Sequence, residues 1–118
     1  MTYVDGLVIP VRAGTDSAGY ARFAEAIAPI FRDHGATRVV EGWADDVPDG
    51  KQTDFRRAIQ AGDGETVVFS WIEWPNKATR DMGMAKMRAD PRMVSTGVEM
   101  PIDGARMIFG GFQVVLDC

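Results

Sequence analysis

A carboxylate placed among tryptophans is the feature of this sequence that could do chemistry. Glu41 and Trp43 are two residues apart in a predicted strand, so their side chains should lie on the same face of a sheet. A carboxylate beside indole rings loses part of its hydration, which raises its pKa and suits it to act as a general base. Trp71 is predicted to complete the aromatic wall of a ligand site. The alternative is a charge at the rim of the sheet beside tryptophans of the core.

Asp5 is the second predicted base. It shares one face of the first predicted strand with Tyr3, a predicted ligand-binding residue, and should be semi-buried there. Its alternative role is a hydrogen bond to the neighbouring backbone. Arg57, with Arg56 and Lys51, is predicted to bind an anionic part of a substrate, because a guanidinium group matches the geometry of a carboxylate or phosphate. The alternative for these cations is a solvated helix face.

His34 is the only histidine, so any imidazole chemistry would have to use it. It is a candidate catalytic residue, as a proton shuttle, and a candidate haem ligand. The alternative is a residue at a helix C-terminus, where the helix dipole favours a cation. One histidine and one cysteine, Cys118, cannot form a His/Cys zinc site within one chain, and the aspartates of segment 45–49 lack the glutamate that closes a calcium-binding loop. The leading interpretation therefore includes no metal and no cofactor.

The composition is typical of a small globular protein and excludes several classes. A chain of 118 residues predicts one domain over residues 1–118, which can bury a core without disulfides. The net charge of −4 argues against nucleic-acid binding, which needs clustered lysine and arginine. No apolar stretch approaches the roughly 20 residues that cross a membrane, and the first residues do not resemble a secretory signal. With a single cysteine, the expected location is cytoplasmic.

The elements that must position these residues follow from hydrophobic spacing and from turn residues. Pro29 lies inside the first predicted helix and predicts a kink or a helix in two parts, because proline removes one backbone hydrogen bond. The predicted strands are 3–11, 36–43, 65–74 and 106–116. The predicted helices run from a cap within 15–17 to a stop at Gly35, over 54–61 and over 76–89, with an extra turn that starts at 90–91 and ends at Gly97.

The order of these elements is β-α-β-β-α-β, the α+β ferredoxin-like arrangement with an antiparallel four-stranded sheet. Helices cover one face of such a sheet, and the other face should be polar where it meets water. Here both faces of the strands predicted over 65–74 and 106–116 are apolar. Because an exposed patch of this kind normally marks an interface, we predict a homodimer whose sheets pack face to face. The alternative is that the long connection over 43–64 covers the second face.

Six segments spread along the chain carry a resemblance to a known family. They are YVDG at 3–6, APIFRDHG at 28–35, DDVPDGK at 45–51, ETVVFSW at 65–71, DPRM at 90–93 and MIFGGF at 107–112. In these segments the sequence resembles the YbaA-like family of bacterial proteins of unknown function, which is placed with the dimeric α/β-barrel proteins. The resemblance implies a dimeric α/β barrel built from ferredoxin-like units. The wider superfamily includes cofactor-independent monooxygenases, haem-degrading enzymes and isomerase-like enzymes, which usually bind their ligand between sheet and helices.

These observations favour a homodimeric small-molecule-binding protein that acts as a cofactor-independent oxidoreductase or isomerase. Glu41 or Asp5 would be the base. Trp43 and Trp71 would stack on a compact, partly aromatic ligand, and Arg57 would bind an anionic group. The alternative is a non-catalytic structural or regulatory dimer that binds another protein or sequesters a metabolite. Haem binding comes third. RNA binding, which an automatic label suggests for some members of the resembled family, has no support from the acidic charge balance.

Overall fold

The computed structural model of the protein describes residues 2–94 and 100–118. The strands are β1 (Tyr3–Val11), β2 (Arg38–Trp43), β3 (Thr66–Trp74) and β4 (Ile108–Gln113), and the helices are α1 (Ser17–Asp33), α2 (Phe55–Ala58), α3 (Lys77–Ala89) and α4 (Pro91–Val94). The strands form one antiparallel sheet in the order β2-β3-β1-β4. This arrangement confirms the predicted ferredoxin-like α+β fold, to which α2 and α4 add one turn each.

Three capping side chains fix where the longer helices and α2 begin. Asp16, Asp54 and Asn76 each accept a hydrogen bond from the backbone N–H three residues later, at 2.7, 2.7 and 2.8 Å. α1 ends next to Gly35, whose φ of 110° is a conformation that favours glycine. Among the described residues, no helix has both the length and the apolar character that crossing a membrane requires.

Pro29 does not divide the first helix, so the predicted helix in two parts is wrong. α1 continues through Pro29 from Ser17 to Asp33, although the proline has no N–H to donate to the carbonyl of Glu25. Phe23 and Ile30, on either side of that missing bond, are buried with 8% and 3% of their surface exposed. Burial of both halves of the helix therefore offsets the lost hydrogen bond.

The remaining differences lie at the ends of the elements. β4 stops at Gln113 rather than at residue 116, because its partner strand β1 begins at Tyr3, the residue that faces Gln113 in the register. One further bond, from Val114 N to Thr2 O at 3.1 Å, closes the pair. The predicted stop of the extra helical turn at Gly97 lies outside the described residues.

α1 and α3 cover one face of the sheet, which we call the helix face. α1 packs Tyr20 and Phe23 against β1 and β3, while α3 lies over Trp74, which is completely buried. Gly83 permits this close approach. A Cβ atom at Gly83 would lie 2.5 Å from a ring carbon of Trp74 and 2.6 Å from the carbonyl oxygen of His34. Residue 83 must therefore lack a side chain for α3 to reach the tryptophan.

The opposite face of the sheet, which we call the outer face, remains largely uncovered. Phe69, Ile108 and Phe112 expose 47%, 43% and 62% of their surface, and Trp71 lies among them. Phe55 of α2 makes an edge contact with Phe69, with ring centroids 6.0 Å apart. The connection between β2 and β3 thus covers one corner of the outer face and leaves the rest accessible, so both faces are apolar as predicted.

Candidate functional site

Glu41 lies on the helix face, beneath the first turn of α1. In the register of β2 and β3 it pairs with Ser70, and Trp43 follows on the same face as predicted. The Tyr20 hydroxyl donates to Glu41 Oε2 at 2.9 Å. The Tyr20 ring also lies 6.0 Å from the Trp43 ring, in a tilted arrangement. The sheet register and α1 together therefore bring a carboxylate, two hydroxyls and an indole into one place.

A cavity of about 180 Å³ lies between α1 and the sheet, with Glu41 in its wall. Of the described residues that line it, Tyr20, Glu41 and Ser70 have polar side chains and all the others are apolar. The apolar lining is Leu7, Ile9, Phe23, Ala24, Ile27, Ala28, Phe31, Val39, Ile72, Met93, Met100, Ile102 and Met107. A few polar groups converging in an apolar cavity are typical of a small-molecule site.

The environment tunes both members of the Tyr20–Glu41 pair. Burial raises the pKa of Glu41, and the hydrogen bonds from Tyr20 and Ser70 act in the opposite direction without cancelling that effect. Burial and the neighbouring carboxylate also raise the pKa of Tyr20, so its hydroxyl stays protonated and donates. Glu41 as a whole is exposed on the edge strand β2, while its carboxylate meets Tyr20 at the cavity wall, so a small molecule can reach it. The arrangement suits a base that takes a proton from a bound molecule.

Asp5 is more buried than predicted, with 4% of its surface exposed, and it bonds to side chains rather than to backbone. Trp74 Nε1 donates to it at 2.9 Å, and Arg80 of α3 donates through Nη2 at 2.7 Å and through Nε. The Arg80 guanidinium also lies over the Tyr3 ring, 5.1 Å from its centroid. Asp5 and Tyr3 thus belong to an ion-pair cluster that joins α3 to the sheet, and Asp5 has few free lone pairs with which to act as a base.

Trp71 lies on the outer face, opposite to Glu41 and Trp43. Its partner in the register is Val40, whose side chain points away from that of Glu41 because neighbouring residues of a strand alternate between faces. The Trp71 indole Nε1 donates instead to Glu73 at 2.9 Å. The predicted aromatic wall that combines Trp43 with Trp71 therefore does not form, and Tyr20 takes the place beside Trp43.

Arg57 does not face the cavity between α1 and the sheet. Its Nε donates to Asp54 at 2.8 Å, and its terminal nitrogens donate to backbone carbonyls of residues 50–52. These bonds close the loop before α2 onto its own cap. The guanidinium that was predicted to bind an anionic substrate is thus engaged within the loop.

His34 caps the far end of α1. At a rise of about 1.5 Å per residue, the helix separates it from Tyr20 by roughly 20 Å. Its Nε2 makes a 2.7 Å bond with Asp90, which also bonds to Arg92 at 2.8 Å. Arg92 and His34 lower the pKa of Asp90 well below its usual range. The bond to Asp90 occupies Nε2, so that nitrogen is not free to bind a haem iron.

Two residues of the site were missed from the sequence, Tyr20 and Ser70. Tyr20 falls on the apolar stripe of the first helix, and stripe residues are usually core. Ser70 is a small hydroxyl among the apolar residues of β3, at a position that alternation assigns to the buried face. A buried hydroxyl needs a hydrogen-bond partner, and this requirement could have identified Tyr20 and Ser70 as candidate neighbours of a polar group. Within residues 2–94 and 100–118, no group of three or more His, Cys, Asp or Glu residues is arranged to hold a metal ion.

A family model described as "Protein of unknown function (DUF1428)" matches residues 2–104. The chain belongs to the DUF1428 family. Relatives described as uncharacterized protein YbaA, from Escherichia coli strain K12 and from Shigella flexneri, are 54% identical over 117 residues, which is 99% of each chain. The membership confirms the predicted YbaA-like family of unknown function.

A solved structure supports the fold of this DUF1428 protein. It is the crystal structure of a dimeric ferredoxin-like protein from an uncultured marine organism, with a TM-score of 0.63 and 10% sequence identity. The match covers 99% of this chain and 98% of that one. At this identity the likeness shows the fold alone.

Proposed function

We propose that this protein is a homodimer that binds a small, mainly apolar molecule between α1 and the sheet, and that Glu41 exchanges a proton with it. The observation that carries the proposal is the Glu41 carboxylate, bonded to the Tyr20 hydroxyl at 2.9 Å in the wall of a cavity that is otherwise almost entirely apolar. Perturbed acids in apolar clefts are common at functional sites. Trp43 remains a predicted neighbour of the ligand, because its ring packs against Tyr20.

Proton transfer of the isomerase type is the reaction that these groups support best. One base takes a proton from a carbon or oxygen of the ligand and returns it at another position, so no atom is gained or lost. Tyr20 and Ser70 hold the carboxylate in place by hydrogen bonds. A cofactor-independent oxidation would begin with the same deprotonation, followed by transfer of electrons from the ligand anion to an oxidant such as dioxygen.

Native mass spectrometry of the freshly purified protein tests this proposal. We expect a mass of two chains with a reproducible small adduct, and loss of that adduct in Glu41→Gln, which removes the base at constant shape. Glu25→Gln is the matched control, because Glu25 is an exposed glutamate of α1. An adduct that persists in Glu41→Gln would contradict the role of Glu41.

The outer face is the proposed surface for the second copy of the chain. It exposes Phe69, Ile108 and Phe112, and a monomer rarely leaves such a contiguous apolar patch in water. The crystal structure of similar fold is described as dimeric, which fits this proposal. Two sheets packed through a two-fold axis would bury the patch on both copies.

Sedimentation velocity at micromolar concentration tests the dimer. Phe112→Ser should shift the protein to a monomer, whereas Met82→Ser should not. The two side chains are equally exposed, at 62%, but Met82 lies on α3 on the other side of the sheet. A wild-type protein that sediments as a monomer would contradict the dimer proposal.

A non-catalytic dimer that binds a protein or sequesters a metabolite is the second candidate. It is favoured by the fact that Glu41 already accepts hydrogen bonds from Tyr20 and Ser70, as a structural carboxylate does. A dimer that carries no adduct would support this candidate. For both candidates we propose a cytoplasmic location, since a single cysteine suits a reducing compartment. One domain over residues 1–118 stays a prediction.

A further inference from the structure

We infer that the molecule held between α1 and the sheet is a neutral, one-ring compound that presents an O–H group to Glu41, as a simple phenol does. This inference rests on the proposed function and specifies the class of its ligand. Three properties of the cavity lead to it, namely its size, its charge and the direction of its free hydrogen bonds.

The size of the cavity limits the ligand to one ring. An apolar protein cavity of about 150 Å³ is large enough to hold benzene. The cavity beside Glu41 measures about 180 Å³, so it has room for one six-membered ring and one or two further heavy atoms. A fused two-ring compound would have to displace the side chains that line it.

The charge of the lining argues against an anionic ligand. Glu41 carries the sole charged side chain among the described lining residues, and its charge is negative. A carboxylate or phosphate ligand would lose its water shell and meet a like charge, with no cation in this lining to compensate. Arg57, which was predicted to supply that cation, is bonded within the loop before α2. The site therefore disfavours the anionic substrate that the sequence suggested.

The hydrogen bonds of Glu41 determine which polar group the ligand should carry. An ionised carboxylate accepts and cannot donate, and it has about four lone-pair positions. Tyr20 and Ser70 each donate one hydrogen bond to it. The remaining acceptor positions call for a donor on the ligand, and an O–H bonded to a carboxylate is among the stronger hydrogen bonds in proteins. A neutral donor also avoids stripping the water from a second ion inside apolar walls.

Four one-ring probes test the inference, namely phenol, toluene, benzoate and benzylamine, titrated separately into the full chain and followed by amide NMR. We expect phenol to bind at least tenfold more tightly than toluene, and benzoate and benzylamine to bind more weakly than phenol. In Glu41→Gln the affinity for phenol should fall to within a few fold of that for toluene, while the affinity for toluene stays the same. Ala24→Leu, whose larger side chain fills the cavity from α1, should weaken the binding of both phenol and toluene. This loss would show that the probes bind in the cavity.

The outcomes separate the ligand class from the proposed function. Equal binding of toluene and phenol to the wild type, with both lost in Ala24→Leu, would overturn the O–H inference and leave a binding cavity in place. Tighter binding of benzoate or benzylamine would overturn it in favour of an ion. Absence of binding by all four probes would contradict the ligand class and the proposed small-molecule site together. The amide spectrum of each variant reports whether it is folded, and Ser70→Ala offers a second, smaller change beside Glu41 if Glu41→Gln does not fold.

Discussion

Two acidic side chains of the helix face, Asp5 and Glu41, have opposite surroundings. Asp5 on β1 lies under α3 and is paired with a full positive charge, Arg80, and with the indole N–H of Trp74. Glu41 on β2 lies under α1 and receives hydrogen bonds from neutral hydroxyls beside a cavity. The first carboxylate is compensated and closely packed, whereas the described residues that line the cavity beside the second include no cation.

The difference separates a structural acid from a chemically available one. A carboxylate held by a guanidinium fork has its charge balanced and its lone pairs used, so it stabilises the fold. A carboxylate in a partly dry site without a cation is held closer to its neutral form. The comparison therefore assigns stability to the α3 half of the helix face and fits the proton transfer that we propose for the α1 half. Four changes test this distinction.

The largest expected effect is that of Asp5→Asn. The amide keeps the shape but removes the buried ionic partner of Arg80 and leaves it the exposed Asp81, and breaking a buried pair in this way costs about 3–5 kcal/mol of unfolding free energy. Urea denaturation followed by tryptophan fluorescence measures it. Asp81→Asn is the control, because Asp81 also bonds to Arg80 but is exposed. This variant should lose far less unfolding free energy than Asp5→Asn. Equal losses of unfolding free energy in the two variants would contradict the claim that Asp5 is the more important partner of Arg80 for stability.

Arg80→Lys should cost less, about 2 kcal/mol, because the charge stays while the paired hydrogen bonds to Asp5 and the stacking over Tyr3 are lost. The same denaturation experiment measures the change. Arg12→Lys serves as its control, since Arg12 is exposed and, among the described residues, its side chain makes one long bond of 3.4 Å to a backbone carbonyl. A lysine at position 80 that leaves stability unchanged would mean that charge alone holds α3 to Asp5.

Glu41→Gln should leave stability near that of the wild type at low pH and raise it relative to the wild type as the pH increases. Burial raises the pKa of Glu41 above its ordinary value of 4.5, so the folded state binds this proton more tightly than the unfolded chain. The contribution of Glu41 to stability is therefore complete below about pH 4.5 and is lost as the pH rises through the raised pKa. Unfolding free energies measured from pH 2 to pH 8 for both proteins give the sign.

Glu65→Gln is the control of opposite sign for that experiment. Hydrogen bonds from Arg106 lower the pKa of Glu65 to about 2, so its contribution is present above pH 4.5 and is lost as the pH falls toward 2. Relative to the wild type, Glu41→Gln should thus gain stability as the pH rises above 4.5. Glu65→Gln should instead lose stability relative to the wild type as the pH rises from 2 to 4.5. A Glu41→Gln protein whose stability curve runs parallel to that of the wild type would contradict the raised pKa.

Tyr20→Phe should have the smallest effect, confined to the titration of one side chain. Removing the hydroxyl takes away a hydrogen bond that favours the charged form of Glu41, so the pKa of Glu41 should rise further. Carbon-13 NMR of the glutamate carboxyl groups measures that pKa directly. Tyr3→Phe is the matched control, because Tyr3 belongs to the Asp5 cluster and should not shift the titration of Glu41. An unchanged Glu41 titration in Tyr20→Phe would show that the hydroxyl does not influence the carboxylate.

Much of the fold could be predicted from the sequence because it depends on local patterns. Strand alternation in β3, the caps at Asp16, Asp54 and Asn76, and the stop at Gly35 each depend on neighbouring residues. The apolar outer face followed from the same alternation. The predicted division of the helix at Pro29 was wrong, because the local cost of a missing hydrogen bond was visible in the sequence and the compensating burial of Phe23 and Ile30 was not.

The sequence by itself determined the elements, their order and the candidate acids, since these depend on residue types and short spacings. Only the tertiary structure decided which side chains surround each of these acids. The partner of Asp5 is Arg80, 75 residues away, and that of Glu41 is Tyr20, 21 residues earlier. The register of β2 and β3 pairs Trp71 with Val40, which places the Trp71 side chain on the outer face, opposite to Glu41. Contacts of this kind arise when the sheet aligns its strands and the helices pack on it, and no short-range pattern specifies them.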